Sequence, residues 1–412
     1  MRMNEKREQH PAGFVSCERG TVAILFGLAL IPVALAAGIS IDYAGALNAR
    51  QQLQNAVDAA AIAGARIPAT ANQNRANAAS LAFAANVAQT PLKDVEPNIT
   101  ATNESVEVRA TYLYPTTFTS IAGIVSTQAR SQIENGGVAC LIALNRDLSE
   151  GLRIQGVKKQ AAENCWAWVN SSSSTSINAV GASSGKAQGY CTAGGVVGAD
   201  HFSPRPYTGC DVLEDPFAAK LASYVPPSGT CTATNLRLSN GNHVLNPGTY
   251  CGGLEIRPQA NVEFRPGVYV IKDGKFEVQA GSSVTGNGVT IYFTGTGTQL
   301  EVKGGANIDL KGSKSGELAG FVFVQDPTSN PGSETKISGG GRVELEGIIY
   351  TPTWRIYIGG NGELNAEAQY FAMVAEKFNM EGNGTIHMRS NAEAAGLPNL
   401  MPKIPTGPLL LR

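Results

Sequence analysis

The chain is poor in charge and in histidine. Only 16% of its 412 residues are Asp, Glu, Lys or Arg, and the formal net charge is −1 at pH 7. Such a chain has no general attraction for phosphate backbones, which argues against a nucleic-acid partner. The four histidines are far apart and show no metal-ligand spacing; they are His10, His201, His243 and His387. We therefore expect neither nucleic acid nor a bound metal.

A catalytic motif with the right context is also lacking. Residues 181–185 read G-x-S-x-G. A nucleophile elbow needs a strand before the serine and a helix after it, whereas this segment lies in a Ser/Gly-rich stretch. We expect Ser183 to have no catalytic role, and we expect no cofactor.

What the chain does contain is glycine, apolar residues and cysteine. Gly occurs 47 times and 43% of residues are hydrophobic, so the composition is that of a folded, β-rich protein rather than a disordered one. Cys17 precedes the first apolar run, and six cysteines follow within about 110 residues. One thiol before a membrane and an even number after it fits a reducing cytoplasm and an oxidising periplasm. The alternative is six buried free thiols. The six are Cys140, Cys165, Cys191, Cys210, Cys231 and Cys251.

One apolar run is long enough to cross a bilayer. Residues 20–41 carry no charge, and about 22 helical residues span a hydrocarbon core of roughly 30 Å. Basic residues precede the run, and the first one after it is Arg50, which predicts a cytoplasmic N-terminus. A cleaved signal peptide remains the alternative, because small residues at 34, 36 and 37 resemble a cleavage site. The preceding basic residues are Arg2, Lys6, Arg7 and Arg19.

Helical sequence continues beyond the apolar run. It is rich in Ala, Leu and Gln up to Pro68, and a second helix is predicted over about 72–88. The alternating segment 98–115 predicts a β-hairpin with Asn103 at its turn. A spacing of three to four residues predicts one apolar stripe on this helix: Leu47, Arg50, Leu53, Val57, Ala60 and Gly64.

The N-terminal region resembles that of TadE/TadG-like Flp pilus-assembly proteins. The matching features are Gly20 at the start of the apolar helix, Asp42 just past it, the LNARQQLQ run from Leu47, and Asp58 in an Ala-rich helix. The resemblance covers about residues 18–133 and implies an inner-membrane protein of tight-adherence pilus assembly or secretion. Prepilin-like members carry Glu where this chain has Leu25, which argues against processing by a prepilin peptidase. The Asp-x-Ser-x-Ser motif of a von Willebrand A-like domain, common in large members, does not occur.

The C-terminal region is repetitive. Six eleven-residue segments align without gaps, and their starts are 22, 24, 35, 21 and 22 residues apart. The third and ninth positions are apolar in all six, with Gly, Asn, Ser and Ala between them, a pattern that predicts strand, turn and strand. A third strand follows most segments. The segments begin at Leu254, Phe276, Leu300, Thr335, Ile356 and Phe378.

Three strands per repeat predict the coils of a parallel β-helix. Stacked coils place each apolar column in a ladder with rungs about 4.8 Å apart, and the coil is expected to be right-handed. A β-sandwich with coincidental repeats is the alternative. Segments at Ala139 and Cys165 look like strands one rung apart, which predicts the disulfide Cys140–Cys165. We also predict the pairs Cys191–Cys210 and Cys231–Cys251.

The second repeat position forms a predicted outward column. Glu255, Glu277 and Glu301 occupy three successive rungs there. Carboxylates at this spacing are able to bind a cation or contact a glycan, and β-helices host polysaccharide lyases and hydrolases. A solvated outer face explains the glutamates equally simply, since side chains alternate along a strand. Aromatic residues in predicted strands are assigned to the core or to a binding patch: Trp166, Trp168, Tyr357 and Tyr370.

These observations predict a mainly β, non-enzymatic envelope protein. Residues 1–19 form a cytoplasmic tail, 20–41 the membrane helix, 42–137 a Tad-like α+β region, 138–395 the β-helix and 396–412 an extended tail. We expect a single-pass inner-membrane protein whose C-terminal region is periplasmic or at the cell surface. Its partners would be Flp/Tad assembly components or cell-envelope glycan. The alternatives are an anchored adhesin or polysaccharide-binding protein and, less favoured, a carbohydrate-active enzyme.

Overall fold

The computed structural model describes residues 19–67, 72–102, 105–118, 123–134, 137–156, 159–227, 229–329, 332–361, 363–404 and 407–411. The chain divides into two compact units, Met1–Ala129 and Arg130–Arg412. It is mainly β, with one long apolar helix near its N-terminus, as the sequence predicts.

The N-terminal unit is built on one long helix, α1 (Arg19–Ala65), which contains the predicted apolar run and Pro32. Among the described residues, α1 is the helix that is long and apolar enough to cross a membrane. A shorter helix, α2 (Asn72–Val87), packs against it. Of the predicted apolar stripe, Leu53 and Val57 are buried, whereas Leu47 is exposed. Leu47 lies close to the apolar run, on a stretch of α1 that is mostly exposed.

A β-hairpin completes the N-terminal unit. Strand β1 (Pro97–Ala101) pairs antiparallel with β2 (Ser105–Tyr114), and β2 pairs with β3 (Gly123–Glu134). The predicted turn residue Asn103 lies outside the described residues. The guanidinium of Arg75 on α2 is buried and donates to the backbone carbonyl of Thr102 at the hairpin end. This bond ties the helices to the hairpin.

In its described part, the C-terminal unit is a stack of short strands with two short α-helices, α3 (Ala218–Ala222) and α4 (Ala392–Ala395). Its strands are β4 (Ala139–Ala143), β5 (Leu152–Gly156), β6 (Lys159–Val169), β7 (Ile177–Val180), β8 (Ser184–Thr192), β9 (Val196–Val197), β10 (Phe202–Ser203), β11 (Tyr207–Thr208), β12 (Ala233–Leu238), β13 (Gly241–Leu245), β14 (Gly248–Ile256), β15 (Ala260–Phe264), β16 (Gly267–Lys272), β17 (Lys275–Val278), β18 (Ser283–Asn287), β19 (Val289–Thr294), β20 (Gln299–Val302), β21 (Asn307–Lys311), β22 (Phe321–Gln325), β23 (Glu334–Ser338), β24 (Val343–Gly359), β25 (Glu363–Leu364), β26 (Tyr370–Gly382), β27 (Thr385–Ser390) and β28 (Gly407–Leu411).

These strands form a parallel β-helix whose register follows the sequence repeat. Leu254 lies beside Phe276, Phe276 beside Leu300, and Leu300 beside Thr335, so the first position of each repeat is stacked on the next. Three parallel sheets run along the stack, one for each strand of the coil. The predicted architecture is confirmed, while its right-handed sense stays a prediction.

The two apolar columns of the repeat fill the interior. Every member of both columns is at most 3% exposed. Stacked β-branched and aliphatic side chains at this spacing bury a continuous core that a single coil lacks. The columns are Ile256, Val278, Val302, Ile337, Ile358 and Met380, and Val262, Val284, Ile308, Val343, Leu364 and Ile386.

The order of the coils in space differs from their order in the chain. The last repeat does not end the stack, because Phe378 on β26 lies beside Leu152 on β5, and Ile386 on β27 lies beside Gln160 on β6. The coils at residues 139–210 therefore stack on the C-terminal end of the repeat. We call this junction of β26 and β27 with β4, β5 and β6 the seam.

A return strap connects the two ends of the stack. It comprises residues 211–227, between the coil that ends near Cys210 and the coil that begins at β12. Successive residues of the strap contact successive parts of one side of the β-helix. Trp168 Nε1 donates to the Asp211 carbonyl, Phe217 packs on Phe321, and Tyr224 packs on Tyr292. The strap thus passes most of the rungs on that side.

The C-terminal tail adds a strand at the end opposite β12. Strand β28 pairs antiparallel with residues 130–134, the part of β3 that belongs to the C-terminal unit, and Leu410 lies beside Thr208 of β11. The predicted extended tail therefore includes a strand. It covers part of an edge that would otherwise offer unpaired backbone groups.

Candidate functional site

The predicted glutamate column lies in register on the outer side of one sheet. We call the outer side of strands β17, β20 and the second half of β14 the charged face. Glu255 lies beside Glu277, which lies beside Glu301. Each carboxylate has a basic neighbour: Arg237 Nε and Arg257 Nε are both 3.0 Å from Glu255, Lys303 Nζ is 2.7 Å from Glu277, and Lys275 Nζ is 3.9 Å from Glu301.

These pairs change the interpretation of the column. Carboxylates that are already neutralised by Lys and Arg are poor ligands for a calcium ion, which needs several free oxygen ligands. Within the described residues, no group of three or more His, Cys, Asp or Glu is placed to hold a metal ion. The column is an ion-paired ladder, and a contact role for Glu255, Glu277 and Glu301 stays a prediction.

Glu277 has the tightest pairing of the three. Burial alone would raise its pKa, but hydrogen bonds from the Lys303 ammonium and the Gln279 amide outweigh burial and lower the pKa. A lowered folded-state pKa stabilises the fold above the unfolded value of about 4.3, and this contribution is lost as the pH falls through the folded pKa.

Replacing Lys303 with Met is expected to destabilise the protein at pH 7 by up to about 1 kcal/mol, because an exposed partner of a half-buried carboxylate is removed. The difference from wild type should disappear at a pH below the folded pKa of Glu277. Urea unfolding of the detergent-solubilised full chain at several pH values measures it.

Lys303→Arg keeps the charge and serves as the matched control for this series. A Lys303→Met defect that stays constant down to acidic pH would contradict the assigned ion pair and point to lost packing of the lysine stem instead.

The aromatic residues singled out in the sequence are mostly in the core. Trp166, Trp168 and Tyr370 are buried. Tyr357 faces outward, donates to Glu381 at 3.2 Å and lies 5.6 Å under the Lys336 ammonium. They therefore form no common binding patch.

The G-x-S-x-G segment has the wrong context for catalysis. Ser183 precedes strand β8, and no helix follows it. His201 Nδ1 lies 2.8 Å from the Ser183 backbone carbonyl, so this ring nitrogen is engaged by the main chain. The arrangement is that of a turn held by a side chain.

The six C-terminal cysteines form the three disulfides that the sequence predicts. Cys140–Cys165 joins adjacent rungs at a Cα distance of 5.6 Å. Cys191–Cys210 and Cys231–Cys251 have Cα distances of 6.0 and 5.7 Å. The last two flank the return strap, so both of its ends are fixed covalently to the β-helix.

A groove of about 620 Å³ lies between the strap and the β-helix. Its apolar wall includes Leu213, Leu221 and Pro352, and its polar wall includes Asp215 and Asp326. Such a concave site with a few polar groups is the usual form of a small-ligand site. No sequence signal indicated it, because the strap and the strands come together only through the return path.

Tyr292 gives the groove its most distinctive feature. Its side chain is 2% exposed, and no hydrogen bond joins its hydroxyl to a described residue. Burial and the Asp326 carboxylate raise its pKa, so the neutral phenol is a donor at any physiological pH. The Asp326 carboxylate is ionised, since hydrogen bonds from Thr328, Thr294 and Ser329 outweigh burial and lower its pKa.

Over the described residues, the architecture is that of a protein with one helix able to span a membrane, a helical and hairpin segment and a strapped parallel β-helix. Residues 20–66 match the family model described as Flp pilus-assembly TadE/G-like. The predicted resemblance is therefore confirmed for this segment, which is of the Tad type.

The β-helix gives a second match. Residues 227–394 match a domain of unknown function, DUF7305. The matched range holds the coils whose spatial order follows the chain, and the coils at 139–210 lie outside it. No curated protein and no solved structure matches the chain.

Proposed function

We propose that the protein is a non-enzymatic component of Flp/Tad pilus assembly or secretion, held in the inner membrane by α1, with its β-helix in the periplasm as a contact surface. The observation that carries the proposal is the Tad-type match on α1, the helix that is apolar enough to span a bilayer. Basic residues before the span support a cytoplasmic N-terminus. Three disulfides fit an oxidising compartment.

Cross-linking in cells, followed by purification of the full chain and mass spectrometry, tests this function. Recovery of the pilus secretion ATPase, platform or secretin supports the proposal. A matched control carries an unrelated membrane helix in place of residues 20–41. Equal recovery of envelope proteins with both chains, without pilus components, would contradict a role in pilus assembly.

The proposed orientation predicts the reactivity of the cysteines. Cys17 should react with a membrane-impermeant maleimide only after the inner membrane is opened, and the other six should react only after reduction. A mass-tag gel shift of the full chain in cells with a permeable outer membrane, compared with lysed cells, measures both. Labelling of Cys17 before lysis would reverse the orientation.

A glycan-binding protein that uses a Tad-type anchor is the second candidate. The groove beneath the strap favours it, because sugars pack on aromatic rings and bond to carboxylates and hydroxyls. Isothermal titration of the full chain in nanodiscs with soluble peptidoglycan fragments tests it. Binding that is lost in Tyr224→Ala and kept in Tyr357→Ala, on the outer side of β24, supports this candidate. No heat with the wild type counts against it.

A further inference from the structure

A short uncharged segment of the N-terminal unit lies beside the apolar helix. Between Arg109 and Arg130 there is no charged residue. Three large side chains that flank the connection from β2 to β3 point outward: Leu113, Phe118 and Ile124 are 62, 59 and 75% exposed. Such a concentration of exposed apolar side chains in a short segment marks a contact surface. We call these three residues the apolar rim.

The rim is held at the depth of the membrane span by direct contact with α1. A Cβ at Gly38 would lie 2.8 Å from Phe118 Cβ, and a Cβ at Gly45 would overlap the Tyr114 hydroxyl. The two glycines therefore let this segment lie directly on the helix. Gly38 is three residues inside the end of the apolar run, about 4.5 Å at 1.5 Å per residue. Phe118 thus reaches the level of the bilayer interface.

The backbone N–H groups at Thr117 and Phe118 are hydrogen-bonded, as a poorly hydrated environment requires. The buried Asp42 carboxylate accepts the N–H groups of Thr117 at 2.8 Å and of Phe118 at 3.0 Å. Unpaired backbone donors are costly where water is excluded, so their pairing removes the main penalty for entering the interface. It also assigns a role to Asp42 at the end of the apolar run, since it joins the anchor helix to the segment after β2.

We propose that the apolar rim inserts into the outer-leaflet interface of the same bilayer that α1 crosses, as a second membrane contact of the N-terminal unit. The occupant is lipid, because the rim continues the exposed apolar surface of α1, where Ile39, Ile41 and Tyr43 are also exposed. Aromatic and aliphatic side chains at this depth are typical of interfacial anchors. The proposal rests on the proposed membrane anchor. Two contacts would fix the rotation and height of the unit on the membrane.

Quenching by brominated lipid measures the depth of the rim. Two variants of the full chain, Phe118→Trp and Ile124→Trp, are reconstituted into vesicles of phosphatidylcholine and phosphatidylglycerol. Each is measured with and without brominated phosphatidylcholine in the bilayer. The three native tryptophans are buried in the C-terminal unit, and the signal of the unmodified chain is subtracted. Leu30→Trp reports the centre of the apolar run 20–41, and Thr100→Trp reports the far end of the hairpin.

We expect quenching of Phe118→Trp and Ile124→Trp at least twofold above that of Thr100→Trp, with aqueous iodide giving the reverse order. If Leu30→Trp is quenched and both rim positions behave like Thr100→Trp, the rim contact is overturned and the anchor stands. If Leu30→Trp is not quenched, the anchor and the rim contact both fail. Rim positions that neither lipid nor iodide quenches are covered by protein, which also overturns the proposal.

Discussion

Replacing Phe217 with alanine is expected to lower the free energy of unfolding of the C-terminal unit by about 3–5 kcal/mol, the usual cost of deleting a buried phenyl ring. Phe217 is buried at the centre of the strap and packs edge-on against Phe321 at 4.9 Å and Tyr350 at 5.5 Å. The Tyr350 hydroxyl also donates to Asp215, 2.9 Å away. Loss of the ring removes the apolar contact at the centre of the strap and leaves the contacts nearer its ends, such as Tyr224 on Tyr292.

Tryptophan fluorescence during urea unfolding of the full chain in detergent measures this effect. All three tryptophans, Trp166, Trp168 and Trp354, lie in the C-terminal unit. Phe217→Leu keeps most of the volume and should cost less than half as much. A change below about 0.5 kcal/mol, the range of surface substitutions, would show that the strap does not pack on the β-helix in solution.

Truncating Leu152 to alanine at the seam should cost about 2–5 kcal/mol, because a fully buried leucine is lost from a core with little room to collapse. Its neighbour across the seam is Phe378, which lies 226 positions later in the chain. The two side chains stack within the same apolar ladder. The double variant Leu152→Ala, Phe378→Ala should therefore be non-additive by at least about 0.5 kcal/mol.

The exposed Leu148, four residues from Leu152, provides an internal control for this double-mutant cycle. Leu148→Ala should change stability by no more than about 0.5 kcal/mol and should add to Phe378→Ala without coupling. Strict additivity between Leu152 and Phe378 would contradict their contact, whatever the cost of each single change.

The repeat could be predicted from sequence because its signal is local and is repeated six times. Two apolar columns fix which side of each strand faces inward, since a slip by one residue would turn Val278 and Val284 to solvent. The same periodicity defined the outward position of Glu277. The pair Cys140–Cys165 followed from rung spacing, because residues one rung apart have the Cα separation that a disulfide needs.

The seam and the strap had no such signal. The coils at 139–210 do not align with the eleven-residue repeat, so nothing local indicates which end of the stack they extend. The end of the stack that these coils extend depends on packing between residues distant in sequence, such as Leu152 and Phe378. It also depends on whether the strap is long enough to connect the two ends. The groove with Tyr292 and the pairing of Glu255 with Arg237 were missed for the same reason, since they depend on tertiary neighbours.

The spatial order of the coils bears directly on the proposed role. If the coils were stacked in chain order, the last repeat would lie free at one end of the β-helix. In the structure the last repeat is buried in the stack, and β28 returns to β3. The sides of the stack then present the charged face and the groove.

Engineered disulfides test the stacking order most directly. Arg153 and Asn379 face outward on adjacent rungs of the seam, where Cα atoms are about 4.8 Å apart. If the coils were stacked in chain order, the coil that contains Arg237 would instead lie next to the coil that contains Val197. The full chain with Arg153→Cys and Asn379→Cys should form the new disulfide, detected by non-reducing peptide mapping, while Val197→Cys with Arg237→Cys should not. A disulfide in the second pair and free thiols in the first would contradict the strapped β-helix.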